Sequence, residues 1–256
     1  MTPLELFGLI CLLAIVRVVM ALRPSTVPAG GGPGFDAPSS EAAKAPGWIA
    51  VAKEYLDAFI VAGLVALFLI TFVVRTFYIP SASMVPTLQI NDVLLANEFE
   101  YRFHKPSDGD IVVFTPAIPT TNDFIKRLMA GPGEKLRIKN GIVYRNDVPL
   151  DEPYIAEKPN YDLEIRDYGI YVNGYALDPS GANIPPKSQW PAPDRIPANC
   201  YFMMGDNRND SEDSHAWGFA QLDGTFASGP EKGKKAGFTG HAFVVFWPPG
   251  RAHVLK

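Results

Sequence analysis

The chain has 256 residues, enough for one good hydrophobic core, and its 23 Lys and Arg against 27 Asp and Glu give a net charge of -4. The basic residues are scattered and form no positive stripe of the kind a phosphate backbone requires, which argues against nucleic acid as a partner. The 24 Pro, 22 Gly and 12% aromatic content suit a turn-rich β body, because Pro is kept out of helix interiors and central strands.

From Leu6 to Leu22 the sequence reads LFGLICLLAIVRVVMAL, about long enough to cross a thin bilayer, with Arg17 the one charge inside it. A secretory signal peptide is the alternative, but the segment has no positive n-region and no small-residue cleavage site. The stretch Ala58 to Val74, AFIVAGLVALFLITFVV, carries no charge. Lys53 and Arg75 flank it in snorkelling positions and Tyr55 and Tyr78 suit the two headgroup levels, so it reads as a second span. Between the spans, Arg23 to Tyr55 is too rich in Gly, Pro and Ser to bury a core and reads as a flexible loop. Arg23, Lys44 and Lys53 in that loop, against an N-terminal tail lacking Lys and Arg, put the loop in the cytoplasm. The N-terminus and everything after Tyr78 then face outward. Cys11, inside the first apolar stretch, and Cys200, far down the chain, are not placed to form a disulfide.

After Tyr78 come short apolar runs separated by turn signals: DVLLANEF, DIVVF, KLRIKNGIVYRND, CYFMM and HAFVVFW, all expected to be strands. Asn140-Gly141 divides two alternating runs and predicts a two-residue hairpin. Asp151 to Asn199, rich in Pro, Tyr and Asp, has weak periodicity and reads as irregular. The expected fold is therefore mostly β, behind N-terminal transmembrane helices. Its parts are a first transmembrane segment (1–22), a cytoplasmic loop (23–55), a second transmembrane segment (56–78), an all-β body (79–139 and 200–256) and an inserted irregular β subdomain (140–199).

Three segments carry chemistry. Ser83 lies in PSASMVPTL, where Pro80 and Pro86 limit how the chain bends. A serine needs a base to become a nucleophile. His104 and His253 have no supporting context; His241, opening a strand, and His215, in a polar turn, are bases only on paper. Lys126, in DFIKRLMAGPGEK among Phe124, Ile125, Leu128 and Met129, is the better base. Desolvation disfavours an ammonium, and roughly 4 kcal/mol of such destabilisation, within reach of burial, makes the amine a proton acceptor near neutral pH. An exposed strand lysine is the ordinary alternative. The third segment, GDNRNDSEDSHAWG from Gly205 to Gly218, follows a buried strand and fails the calcium-loop spacing, since Asp210 to Ser214 contains no Gly or closing Glu. It can bring a hydroxyl such as that of Ser211 against a neutral amine. Nothing in the sequence asks for a metal or cofactor.

In order, PSASMVPTL with NDVLLANEF, GDIVVF, DFIKRLMAGPGE and YFMMGDNRNDSEDS, from Ile79 to Trp217 behind two spans, resemble the bacterial signal peptidase I family of membrane-bound Ser/Lys endopeptidases. The resemblance implies Ser83 as nucleophile, Lys126 as general base, Ser81 as an oxyanion-hole hydroxyl beside the Ser83 N–H, and Ser211 as the residue orienting the lysine. Asp213 matches an aspartate that pairs with an arginine, for which Arg127 is the expected partner. Phe77, Ile79, Pro80, Met84, Leu88, Leu94, Val113, Phe124 and Ile125 would line shallow pockets for a small-x-small cleavage site, with the substrate extended beside Ser83 and Asp123. Implied partners are preprotein signal peptides, the phospholipid bilayer and a nearby secretion translocon. The implied location is the bacterial plasma membrane, with the catalytic part on the periplasmic face. His215 and His241 stand where many members carry Arg, and Ala82 where Gly is frequent. The alternatives are a self-cleaving Ser/Lys repressor, disfavoured by the two spans, a peptidase dedicated to one conjugation or pilus protein, and a membrane-anchored β module that only binds.

Overall fold

A computed structural model describes residues 3–22, 47–118, 120, 122–225, 233 and 235–255. Two units make up the chain, residues 1–73 and 74–256.

The first unit holds two helices, α1 (Pro3–Leu22) and α2 (Gly47–Phe72). Gly63 of α2 lies so close to Ile10 of α1 that a β-carbon there would come within 2.9 Å of the Ile10 side chain. The guanidinium of Arg17 grips Asp57 through two bonds of 2.6 and 3.1 Å, so the one basic residue of α1 has a partner on α2. Among the described residues no helix is long and apolar enough to cross a membrane, those of α2 including Lys53, Glu54 and Asp57. Two boundaries differ from the sequence reading. Helix α2 begins at Gly47, inside the expected loop, because GWIAVAKEY contains no helix breaker after its first residue. It ends at Phe72, inside the expected second span, and Val74–Tyr78 is a strand. The rest of the expected loop, residues 23–46, lies outside the described residues.

The second unit runs through β1 (Val74–Tyr78), β2 (Val93–Asn97), β3 (Ile111–Thr115) and β4 (Phe124–Ala130). Next come β5 (Leu136–Lys139), β6 (Ile142–Arg145), β7 (Val148–Pro149), β8 (Leu163–Arg166), β9 (Gly169–Val172) and β10 (Tyr175–Ala176). The chain closes with β11 (Cys200–Met204), a short helix α3 (Ser214–Trp217), β12 (Ala220–Gln221), β13 (Asp223–Thr225), β14 (Lys235–Trp247) and β15 (His253–Val254). The strands expected from DVLLANEF, DIVVF, CYFMM and HAFVVFW are present as β2, β3, β11 and the second half of β14.

The larger sheet is antiparallel in the order β1-β2-β14-β3-β4-β11-β12, with β13 and β15 also paired to β14. Its edge strand β1 pairs with β2 alone, Phe77 opposite Leu94 and Tyr78 opposite Val93, which explains why VRTFY leaves the preceding helix: β-branched and aromatic residues meet a ready partner. Strand β3 is covered on both faces. Ile111 and Val113 enter a core with Ile79, Met84, Leu88, Leu94 and Val245, while Val112 and Phe114 enter another with Leu128, Met203, Trp217 and Phe238. That is why DIVVF is continuously apolar rather than alternating.

The smaller sheet, β10-β9-β8-β5-β6-β7, begins at Leu136, ahead of the expected boundary at residue 140. It is also more regular than the sequence reading allowed. Asn140-Gly141, Asn146-Asp147, Asp167-Tyr168 and Asn173-Gly174 each place two successive residues at positive φ, the geometry of tight hairpin turns. The intervening strands have only two to four residues, too few to reveal a period. A core from Leu136, Ile138, Val143, Leu163, Ile165 and Ile170 joins this sheet to Met129, Phe202 and Met204 of the larger one.

Candidate active site

The segment between β1 and β2 carries Ser83. Its ends are tied together by Ile79 N–H to the Asp92 carbonyl (2.9 Å) and Asn91 N–H to the Ile79 carbonyl (3.0 Å). Ile79, Met84 and Leu88 are buried and anchor the segment in the core. Asp92, itself buried, receives two bonds from Arg251, of 2.8 and 2.9 Å, and caps the Gln89 N–H at 2.8 Å. Ser83 is thus held on a short segment with fixed ends, half-buried, its hydroxyl 3.4 Å from that of exposed Ser81.

Lys126 lies in β4, opposite Val112 of β3, and is 5% exposed. Burial is the largest influence on it. Asp213, Glu212 and Asp206 pull the other way but do not prevail, and the amine is pushed down to about 8. None of the salt bridges among the described residues involves Lys126. Its ammonium instead sits 6.0 Å from the centre of the Phe124 ring.

The turn after β11 reaches both groups. The Ser83 carbonyl accepts from Asn207 N–H (3.1 Å), the Ala82 carbonyl accepts from the Asn207 side-chain amide (3.1 Å), and the Thr87 hydroxyl bonds to Asp206. Arg127, next to the lysine, lies on the other side of β4 and grips Asp206 at 2.8 and 2.7 Å, both side chains buried. This corrects the expected pairing of Arg127 with Asp213. Asp213 is fully buried and accepts from Gly205 N–H at 3.1 Å, from His215 N–H at 3.2 Å and from the His215 ring. Asp213 caps α3, a demand that a four-residue helix makes within its own turn. Ser211 Oγ is buried and has no hydrogen-bond partner among the described residues, so the expected contact with the Lys126 amine is not made in this conformation.

The turn is braced from outside by the segment after β7. Glu152 forms a buried bidentate pair with Arg208 (2.6 and 3.0 Å), and Asn209 bonds the Lys158 carbonyl at 3.1 Å and the Asn160 N–H at 3.0 Å. Tyr154 lies under Arg127, 3.9 Å from guanidinium carbon to ring centre. The sequence reading named none of these residues. A buried Arg208 demanding a carboxylate was the available signal, but nothing local points to Glu152, 56 residues away.

A cleft of about 1090 Å³ lies over the site, and Ser81, Ser83, Lys126 and Ser211 all line it. Of the expected substrate-contacting residues, Phe77, Ile79, Pro80, Met84, Asp123, Phe124 and Ile125 line it too. Leu88, Leu94 and Val113 do not. All three have 0% exposure and belong to the core beneath Ile79 and Met84, because apolar type alone does not distinguish a pocket wall from the layer behind it. Tyr78, Asn122, Asn209, Asp210 and Glu212 were not foreseen and add a polar rim. The Asp123 carboxylate is fixed by the Thr115 hydroxyl at 2.7 Å.

Residues 52–229 match the family described as signal peptidase, peptidase S26. The chain is similar to the probable signal peptidase I-2 of Synechocystis sp., 38% identical over 213 residues that cover 81% of this chain and 77% of that one. It is similar to the signal peptidase I of Leptolyngbya laminosa, 33% identical over 235 residues covering 89% of each chain. A match of this extent, on a chain whose buried lysine and pinned serine share one cleft, places it: the chain belongs to the peptidase S26 family of signal peptidases.

Proposed function

We propose that the chain performs its family's reaction, cleaving signal peptides from exported preproteins as a serine endopeptidase, with Ser83 as nucleophile and Lys126 as general base. The observation that carries this reading is a lysine 5% exposed, pushed down to about 8 by burial, in the cleft that also holds Ser83. At pH 7 such an amine is unprotonated in roughly one molecule in ten, against far fewer than one in a thousand for a solvated lysine. The neutral amine takes the Ser83 proton as the oxygen attacks the scissile carbonyl, then delivers it to the departing amine. The same base activates the water that hydrolyses the acyl-enzyme. Ser81 and the Ser83 N–H stabilise the oxyanion, which carries its charge only in the transition state and intermediate. Ser211 orients the lysine. Its buried hydroxyl, with no partner among the described residues, is costly as it stands and gains a bond on turning toward the amine.

The substrate lies extended in the cleft between the end of β1 and the start of β4. Strand β1 is an edge with one side unpaired, suited to adding a strand, and Ile79 and Met84 in the cleft wall favour small apolar side chains. The helices α1 and α2 serve as membrane spans. They expose Leu9, Leu12, Ile15, Phe59, Val61, Leu64 and Val65, apolar side chains that a water-facing helix pair would leave unburied. The Lys and Arg asymmetry sets the catalytic unit on the periplasmic side of a bacterial plasma membrane, beside the translocon that delivers preproteins. In domain terms, residues 79–139 and 200–256 act as the catalytic body and 140–199 as its insertion.

The test is cleavage of a preprotein in detergent, read as product size, by wild type, Ser83→Ala and Lys126→Met. Loss of product with both variants, each still folded, is expected; equal cleavage by all three overturns the reading.

A further inference from the structure

His215 is linked to the lysine through Asp213, by a hydrogen bond on one side and by charge on the other. Its ring bonds Asp213 and stacks on Tyr161, with ring centres 4.7 Å apart and 23° between planes. Asp213 has 0% exposure, accepts from the Gly205 N–H and acts through its charge on Lys126. The groups around the imidazole are Asp213 and Glu212 from its own turn, Tyr161 from the segment before β8, and Lys126 from β4. Behind Tyr161 stand Arg208 and Glu152, which neutralise each other. Glu212, Asp213 and Lys126 therefore dominate the charge balance at this spot, and His215 joins Lys126 as a group there whose positive charge can come and go near neutral pH.

An uncompensated carboxylate buried beside Lys126 favours the ammonium form and works against a general base. A cation on that carboxylate removes most of the effect. Resting on the function proposed above, we propose that His215 is a positioning residue for the Ser/Lys reaction: its imidazolium, seated on Asp213, offsets the buried carboxylate that faces Lys126 and so keeps the amine neutral and ready to accept the serine proton. Burial works against the imidazolium, but the Asp213 hydrogen bond and charge outweigh it, leaving the His215 pKa raised above the usual histidine value. The positive charge of Lys126 works against the imidazolium, so loss of the lysine proton favours a charged His215.

The measurement is kcat/KM for preprotein cleavage from pH 5 to 10 with wild type, His215→Gln, His215→Arg and Lys126→Met, each checked by thermal melting in the same detergent. Glutamine keeps a bond to Asp213 without the charge; arginine keeps the charge at every pH. His215→Gln is expected to move the acid limb of the profile up by about half a pH unit or more, a loss of at least about threefold on that limb, with the alkaline plateau little changed. His215→Arg is expected to leave the limb at or below its wild-type position. A His215→Gln profile superimposable on wild type, or equal losses at every pH for both variants, overturns the proposal. Should His215→Gln not fold, the arginine variant decides alone, an upward-shifted limb being the refuting result. Full activity of Lys126→Met refutes the underlying enzymatic reading instead, so the two failures are told apart.

Discussion

Ser211 occupies the space that a side chain on Gly205 would need. A β-carbon built on Gly205 collides with the Ser211 hydroxyl and the Ser83 carbonyl, and comes within 2.6 Å of the Ser211 β-carbon. The glycine is the point where the turn after β11 touches the Ser83 segment, so a methyl there pushes two parts of the cleft apart. Gly205→Ala is expected to lower kcat for preprotein cleavage by about a hundredfold, the scale of an ångström-sized misplacement, while KM changes less. Steady-state kinetics with the alanine variant check it.

The buried lysine makes the chain less stable than one with an uncharged side chain in its place. Because folding holds the Lys126 pKa at about 8 instead of 10.5, the unfolded state binds this proton more readily between those values. The penalty is full below pH 8 and fades as pH rises toward 10.5, amounting to about 3 kcal/mol. Lys126→Met, similar in volume, is therefore expected to melt roughly 5–10 °C higher than wild type at pH 7, the gain shrinking above pH 10. Thermal denaturation at the two pH values tests the sign directly. In the wild type, cleavage is expected to climb with pH through an acid limb centred near 8.

Breaking the Arg127–Asp206 pair has the opposite consequence. Both side chains are almost wholly buried, and Arg127 also donates to the Gly109 carbonyl at 2.8 Å. Asp206→Ala leaves an arginine charge in a dry site and is expected to cost about 3–5 kcal/mol, measured by denaturant unfolding. Asp213→Asn, which retains the size and part of the bonding of the helix cap, is expected to cost less.

Which aspartate pairs with Arg127 was beyond the reach of the sequence. The turn offers Asp206, Asp210 and Asp213 within eight positions, and only the register of β4 against β11, Arg127 opposite Met204, brings the first of them over the guanidinium. By contrast Lys126 was legible, because Phe124, Ile125, Leu128 and Met129 around it leave a strand with no solvent face to offer. The Asn140-Gly141 hairpin was legible for a local reason too, since the turn type requires positive φ at two successive residues. The β7 to β10 hairpins were not, for their strands are no longer than two repeats of the alternation that would betray them. Leu88, Leu94 and Val113 failed as pocket residues because depth beneath a surface is a tertiary property. Ile79 and Met84, equally apolar, stand one layer nearer the cleft.

The Arg17–Asp57 pair offers a test of the helices. In the proposed spans both charges lie toward the connecting loop, where two antiparallel helices would meet at one depth. Arg17→Leu alone strands Asp57 and is expected to weaken the helix pair, and joining it with Asp57→Leu is expected to restore much of the loss. Unfolding of the full chain in mixed detergent, for both single variants and the double, provides the cycle.

Arg251 grips the aspartate that ends the nucleophile segment, and β14 separates β2 from β3 in the larger sheet. Translation makes these after Ser83 and Lys126. A ribosome that has released the serine and the lysine has not yet supplied the residues that lock them in place, so the nascent chain emerges without a finished cleft. The cleft can therefore close only once β14 and Arg251 have been added behind Ser83 and Lys126.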